Sequence, residues 1–185
     1  MKIPNLPIEV FDDEVDFTTR CQIYNTALNA NYKIKGWQDS LIPEKQWKYD
    51  MHSNWSIDDL IMSGLCPHVE RHAKGKRIVK VMCNVVQAGE SFYNHCHNGP
   101  TIFLYYANLE WEDGWHGETL FYDKKGEEIV YTSKYTPGRI IIFSDNQVHS
   151  IRPQSHTGPQ FRFTVTAVLE EPKNEEQKAE ALRIR

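Results

Sequence analysis

Three histidines and one arginine carry the chemistry legible in this chain. The stretch "SFYNHCH" (91–97) sets His95 and His97 one residue apart at the end of a strand-like run. Successive side chains of a strand point to opposite faces, so the two imidazoles share one face and Cys96 takes the other. Same-face imidazoles at that spacing can close on a single ion, with nitrogens about 2 Å from the metal. His149 opens "HSIRP", directly after "PGRIIIFSDNQV", an apolar strand that stops at a polar turn. One strand end delivering a single histidine beside another delivering two makes an open metal site at the mouth of a β-barrel. Arg162, in "QFRFTVTAVLEE", alternates onto the face of Thr164 and Thr166 and away from Phe163 and Val165. Buried without a partner, such an arginine is costly. Either an internal carboxylate satisfies it, or a carboxylate-bearing ligand gripped by the planar guanidinium fork does. The residues alone leave both open.

The other histidines carry weaker signals. His68 and His72, in "PHVERH", are four apart and share a helix face. The glutamate between them is misplaced for the H-E-x-x-H metal motif, so they read as a solvated face. His52 and His156 lie in polar stretches and read as surface residues. His116, in "DGWHGET", sits in a turn, with a structural or substrate-contacting role.

The elements that must position these residues change character along the chain. Residues 12–32 carry apolar residues at helical spacing (Val15, Ile23, Leu28), and 56–76 read as a helix capped by Ser56 and interrupted near Pro67. A Trp-rich connection, "GWQDSLIPEKQWKYDMHSNW", joins the two. From residue 77 the period becomes two. "RIVKVMCNVV", "SFYNHCH", "TIFLYYANL", "ETLFYD", "EIVYTSKY", "GRIIIFS" and "FRFTVTAVLEE" are separated by turn signals such as "QAGE", "DKKGEE" and "TPG". Such spacing predicts antiparallel sheets forming a sandwich or barrel. The expected organisation is one α+β, mainly β domain over 1–185. Within it, 1–76 is a helical support packed on one sheet, 77–171 the β core and 172–185 a charged tail.

The bulk numbers fit that reading. With 185 residues, 40% hydrophobic and 25% charged, the chain is of ordinary globular composition. A net charge of -4 argues against nucleic-acid and membrane-surface partners, which reward a positive face. Four scattered cysteines without a C-x-x-C pair, and no visible secretory signal, make a reduced cytoplasmic setting the expectation. The aromatic share of 12% suits a protein that builds pockets.

Taken together, "YNHCH", "FLYYANLEWEDGWHGETLFYD" and "PGRIIIFSDNQVHSIRP" followed by "RFTVTAVL" resemble the iron(II)- and 2-oxoglutarate-dependent oxygenases, in their prolyl 4-hydroxylase-like branch. The resemblance covers roughly residues 77–171. It implies a double-stranded β-helix, or cupin-like jelly roll, with iron at one mouth and 2-oxoglutarate as cosubstrate. It also implies hydroxylation of an unactivated C–H bond, in a prolyl or other peptidyl residue or a small molecule, with ascorbate a candidate reductant. His95 matches the first metal ligand and His149 the distal one. Arg162 matches the group binding the far carboxylate of 2-oxoglutarate, Tyr106 a phenol that joins it, and Thr166 a further pocket-lining position.

One position departs from the family pattern. The usual triad is two histidines and a carboxylate, and His97 stands at the carboxylate position. A three-histidine iron centre, a centre in which chloride or water takes the anionic role, and a degraded non-catalytic site are all compatible with that exchange. Glu118, in the "GET" segment, is a weak candidate for a replacement carboxylate. Two rival readings remain. "GESFYNHCH" (89–97) meets the opening of a cupin dioxygenase motif, for an enzyme using no 2-oxo acid, although the glutamate expected a few residues later is missing. The other rival is a jelly-roll binding module without catalysis.

Overall fold

In the computed structural model, described over residues 1–38, 46–90, 92–96, 100–144 and 146–173, ten strands and three helices follow one another. Strand β1 (Ile8–Phe11) is followed by helix α1 (Phe17–Leu28), then β2 (Lys33–Gln38) and β3 (Gln46–Trp55). Helices α2 (Ile57–Met62) and α3 (Cys66–Ala73) lead to β4 (Arg77–Gln87). The remaining strands are β5 (Thr101–Tyr106), β6 (Thr119–Tyr122), β7 (Ile129–Ser133), β8 (Ile140–Ser144), β9 (His149–Ile151) and β10 (Phe161–Glu170). Seven strands form a large antiparallel sheet in the order β1-β8-β5-β10-β4-β3-β2. Three form a small one, β7-β6-β9, also antiparallel.

Strand β10 shows why two layers pack on the large sheet. Its alternation sends Phe163, Val165, Ala167 and Leu169 to one side, into a core completed by Ile23 and Ala27 of α1, Leu60 of α2 and Val69 of α3. Its other face carries Arg162, Thr164 and Thr166 towards the space between the sheets. There Ile8, Val10, Ile102, Leu104, Tyr106, Ile141 and Phe143 of the large sheet meet Phe121 of the small one. Each fully buried Phe or Ile contributes about 1.5–3 kcal/mol through removal from water.

Residues 1–76 are less helical than the sequence suggests. Three strands lie there, and the Trp-rich connection becomes β3, hydrogen-bonded to β4 through Met51↔Val85 and Trp55↔Val81. The pattern hides this strand because its buried face places polar Ser53 between Met51 and Trp55. Helix α1 starts later than expected, at its N-cap Asp16, whose carboxylate accepts from the Thr19 amide. Ser56 caps α2 in a reciprocal box with Asp59. The break between α2 and α3 falls at Gly64, whose φ of +77° only glycine adopts without strain; Pro67 opens α3 instead of ending a helix. His72 is buried, not solvated, with Nε2 2.8 Å from Glu14 Oε2 and its ring against Phe11. His52, expected in a surface loop, is half-buried on β3. Among the described residues, no helix is long and apolar enough to cross a membrane. Most of the charged tail lies outside the described residues.

Candidate metal and anion site

His149 begins β9, and the segment 92–96 runs beside it. Their backbones form one hydrogen-bonded antiparallel pair: His95 N donates to His149 O and His149 N to His95 O, both at 2.9 Å. The pairing brings the two ring centroids to 4.5 Å. Phe143 and Phe121 wall the His149 ring, with centroids 4.9 and 6.3 Å away. In each imidazole, Nδ1 meets a backbone carbonyl two residues upstream. His149 Nδ1 lies 2.9 Å from Gln147 O, and His95 Nδ1 lies 3.1 Å from Tyr93 O. A carbonyl only accepts, so both Nδ1 atoms carry a proton, which leaves Nε2 as the nitrogen through which either ring could hold a metal. Outer-shell bonds of this kind orient metal-ligating histidines. The donor set therefore fits a divalent transition metal. No group of three or more His, Cys, Asp and Glu that could hold a metal occurs among the described residues. The third expected imidazole, His97, lies outside them.

Arg162 is 1% exposed, and its surroundings are mostly aromatic. The guanidinium Cζ lies 4.7 Å from the centroid of the Tyr135 ring and 5.3 Å from that of Tyr106. Nε donates to Gly117 O at 2.9 Å, and Nη2 lies 3.4 Å from Thr119 Oγ1. Nη1 is buried with no hydrogen-bond partner. Burial pulls the Arg162 pKa below its ordinary value, opposed by Tyr106, Tyr135 and Glu118. Among the described residues no carboxylate forms an ion pair with it. An internal salt bridge is thus not what satisfies this arginine, and the orphaned donor marks a place for an anion.

Glu118 Oε1 lies 3.4 Å from Arg152 Nη1 and 4.0 Å from His116 Nδ1, while its Oε2 is buried without a hydrogen-bond partner among the described residues. Gly117 is required where it stands. Its φ is +80°, and a Cβ there would meet Trp111 Cζ2 at 2.9 Å and Arg162 Cδ at 3.4 Å. Trp111 is held by a bond from Nε1 to His116 O and packs on Tyr135.

Tyr106, on the strand next to β10, donates its hydroxyl to Thr119 Oγ1 at 2.6 Å. With that donor and the longer Arg162 contact on Oγ1, the Thr119 proton is directed elsewhere. Thr166 lines the same face further along β10, half-buried, and accepts from Asn84 Nδ2 at 3.1 Å. The expected Arg162, Tyr106 and Thr166 thus share one interior face, whereas Thr119, Tyr135 and Asn108 carried no sequence signal of their own. Thr119 pairs with Ile151, two residues along β9 from His149. At a rise of about 3.4 Å per residue, His149 and the partner of Thr119 are about 7 Å apart along β9.

No family model matches the chain, and no curated protein matches it in sequence. Solved structures do. A prolyl hydroxylase from Trichoplax adhaerens, in complex with a hypoxia inducible factor peptide fragment, superposes with a TM-score of 0.64 at 14% identity, covering 95% of this chain and 87% of that one. A 2OG-Fe(II) oxygenase family oxidoreductase from Burkholderia pseudomallei gives 0.66 at 8% identity, over 89% and 85% of the two chains. A prolyl-4-hydroxylase from Pseudomonas putida gives 0.64 at 11%, over 90% and 94%. The fold is therefore the jelly roll of the 2OG-Fe(II) oxygenases, in the form that prolyl hydroxylases share.

Proposed function

We propose that this chain is a non-haem Fe(II)- and 2-oxoglutarate-dependent oxygenase that hydroxylates an unactivated C–H bond. The observation that carries this reading is the buried Nη1 of Arg162, without a hydrogen-bond partner among the described residues, on the same β-built interior as a paired His95 and His149 whose Nδ1 atoms face backbone carbonyls. His95 and His149 hold the iron through Nε2, and His97 is the third ligand, in the position where the resembling family carries a carboxylate. Bound there, iron supplies the oxidising power, drawn from dioxygen and the 2-oxo acid, that breaks the C–H bond. Arg162 grips the distal carboxylate of the cosubstrate through Nη1, and the Thr119 hydroxyl donates beside it. Tyr106 holds Thr119 in that orientation. Phe121 and Phe143 keep water from the inner side of His149.

The Trichoplax neighbour holds a peptide, which makes a peptidyl residue the first substrate class to test. Cys21, Cys66 and Cys83 form no disulfide, which suits a reducing, cytoplasmic setting. Incubation with Fe(II), ascorbate and 2-oxoglutarate labelled at the carboxylate next to the keto group tests the reading. Labelled carbon dioxide is expected, together with gain of one oxygen atom by an accepted peptide, and both are lost in His149→Ala. No carbon dioxide from folded, metal-loaded protein overturns it. Full oxygenase turnover by Arg162→Ala points instead to a cupin-type dioxygenase that uses no 2-oxo acid.

A further inference from the structure

Nothing in the reaction uses Tyr135 or Asn108, yet both are 4% exposed and packed around the arginine. The Tyr135 ring contacts both the guanidinium and two aromatic neighbours. It stacks on Tyr106 with centroids 4.4 Å apart and planes at 13°, and it meets Trp111 at 4.2 Å. Its hydroxyl sits beside two acceptors, Asn108 Oδ1 at 2.7 Å and Phe163 O at 2.5 Å, and receives the Asn108 amide at 3.1 Å. Asn108 completes the arrangement. Its Oδ1 accepts from Phe163 N at 2.8 Å, and its Nδ2 donates to Phe161 O at 3.0 Å.

Phe161 and Phe163 are the two residues flanking Arg162. The residue pairing between β5 and β10 ends at Thr164↔Tyr106, and beyond it a single backbone bond runs from Ala107 N to Phe163 O at 3.1 Å. The Asn108 carboxamide thus stands where a strand partner would, offering a donor and an acceptor to β10 at that point. We infer that Tyr135, acting with Asn108, is a positioning residue for Arg162. The ring braces the guanidinium from behind, and the hydroxyl and carboxamide fix the backbone on both sides of it, so Nη1 stays aimed at the distal carboxylate of the cosubstrate. This inference rests on the anion-site reading given under Proposed function.

The test compares two ligands on protein loaded with Mn(II) under nitrogen, by titration calorimetry. Both 2-oxoglutarate and pyruvate carry the metal-binding 2-oxo acid group, but only 2-oxoglutarate has the distal carboxylate. Wild type is expected to prefer 2-oxoglutarate by at least tenfold. Tyr135→Leu should lose most of that preference while its pyruvate affinity stays within twofold. Tyr135→Phe, which keeps the flat ring and fold but removes the hydroxyl, should lose a threefold to tenfold share of it. That variant carries the test if the leucine variant does not fold. Retention of the wild-type ratio by both folded variants, or equal weakening for both ligands, overturns the inference and leaves the anion site standing. No preference in wild type removes the anion site and this inference with it.

Discussion

Replacing Arg162 with methionine separates a binding arginine from a structural one. In the unliganded protein the guanidinium gains from two ring contacts, each worth about 1–2 kcal/mol when desolvated. One charged hydrogen bond to Gly117 O adds about 1.5–3 kcal/mol. Against these stand an orphaned Nη1, costing about 1–3 kcal/mol, and several kcal/mol for removing the charge from water. The terms offset. Arg162→Met, whose flexible thioether fills much of the same space, should leave unliganded stability within about 2 kcal/mol of wild type. Binding should behave differently. Truncating one partner of a buried, hydrogen-bonded charge pair costs about 2–5 kcal/mol, a loss of 2-oxoglutarate affinity of roughly 30-fold to several-thousand-fold. Thermal denaturation of the Mn(II)-loaded protein reads both effects. Ligand at 100 times Kd stabilises the native state by about 2.7 kcal/mol. At about 2–4 °C per kcal/mol for a chain of this length, wild type should gain roughly 5–11 °C in Tm. The variant should gain at most about 2–3 °C at the same ligand concentration. A variant that keeps the full rise, or that loses more than about 4 kcal/mol without ligand, refutes the reasoning and makes Arg162 a core residue.

Further outcomes follow from single contacts. Asn108→Ala leaves Phe163 N, Phe161 O and the Tyr135 hydroxyl short of partners inside the core, so urea titration should show a loss of about 2–4 kcal/mol; a loss below 1 kcal/mol would contradict the bond set. Gly117→Ala forces a Cβ against Trp111 and Arg162 at positive φ. It should destabilise the fold by about 1–2 kcal/mol and weaken 2-oxoglutarate binding in the same calorimetric titration. Bonds from Thr19 hold the Asp16 carboxyl below its usual range. The folded pKa lies under the unfolded one, so this cap stabilises fully above about pH 4 and fades as pH falls through the lowered value. Asp16→Asn keeps a cap without the titration, and its acid-unfolding curve should be less steep than wild type below pH 4; identical curves would deny the cap a role.

What the sequence made legible depended on local pattern. The strands of the core show through their two-residue period, and the pairing of His95 with His149 follows from strand ends rich in turn signals. Strand β9 is three residues long, too short for any period to register. In β3, the buried position between Met51 and Trp55 is the polar Ser53, so the apolar alternation is weak and the segment reads as a connection. His72 gave no hint of burial because its partner, Glu14, is distant in sequence. Arg162 was legible because a charge interrupts a strand otherwise built for burial. Tyr135 and Asn108 were not, since a tyrosine near a turn and an asparagine after a strand are ordinary until the chain brings them to the same arginine. Thr119 needed the facing phenol of Tyr106 to acquire meaning.

Strand β10 is a party wall. Phe163, Val165, Ala167 and Leu169 serve the helices on one side, while Arg162, Thr164 and Thr166 serve the chamber on the other. A change in how α1 or α3 seats itself shifts the same backbone that aims the arginine. A substitution at Ile23 or Val69, on the helical side, therefore bears on the aim of a guanidinium that those side chains never meet.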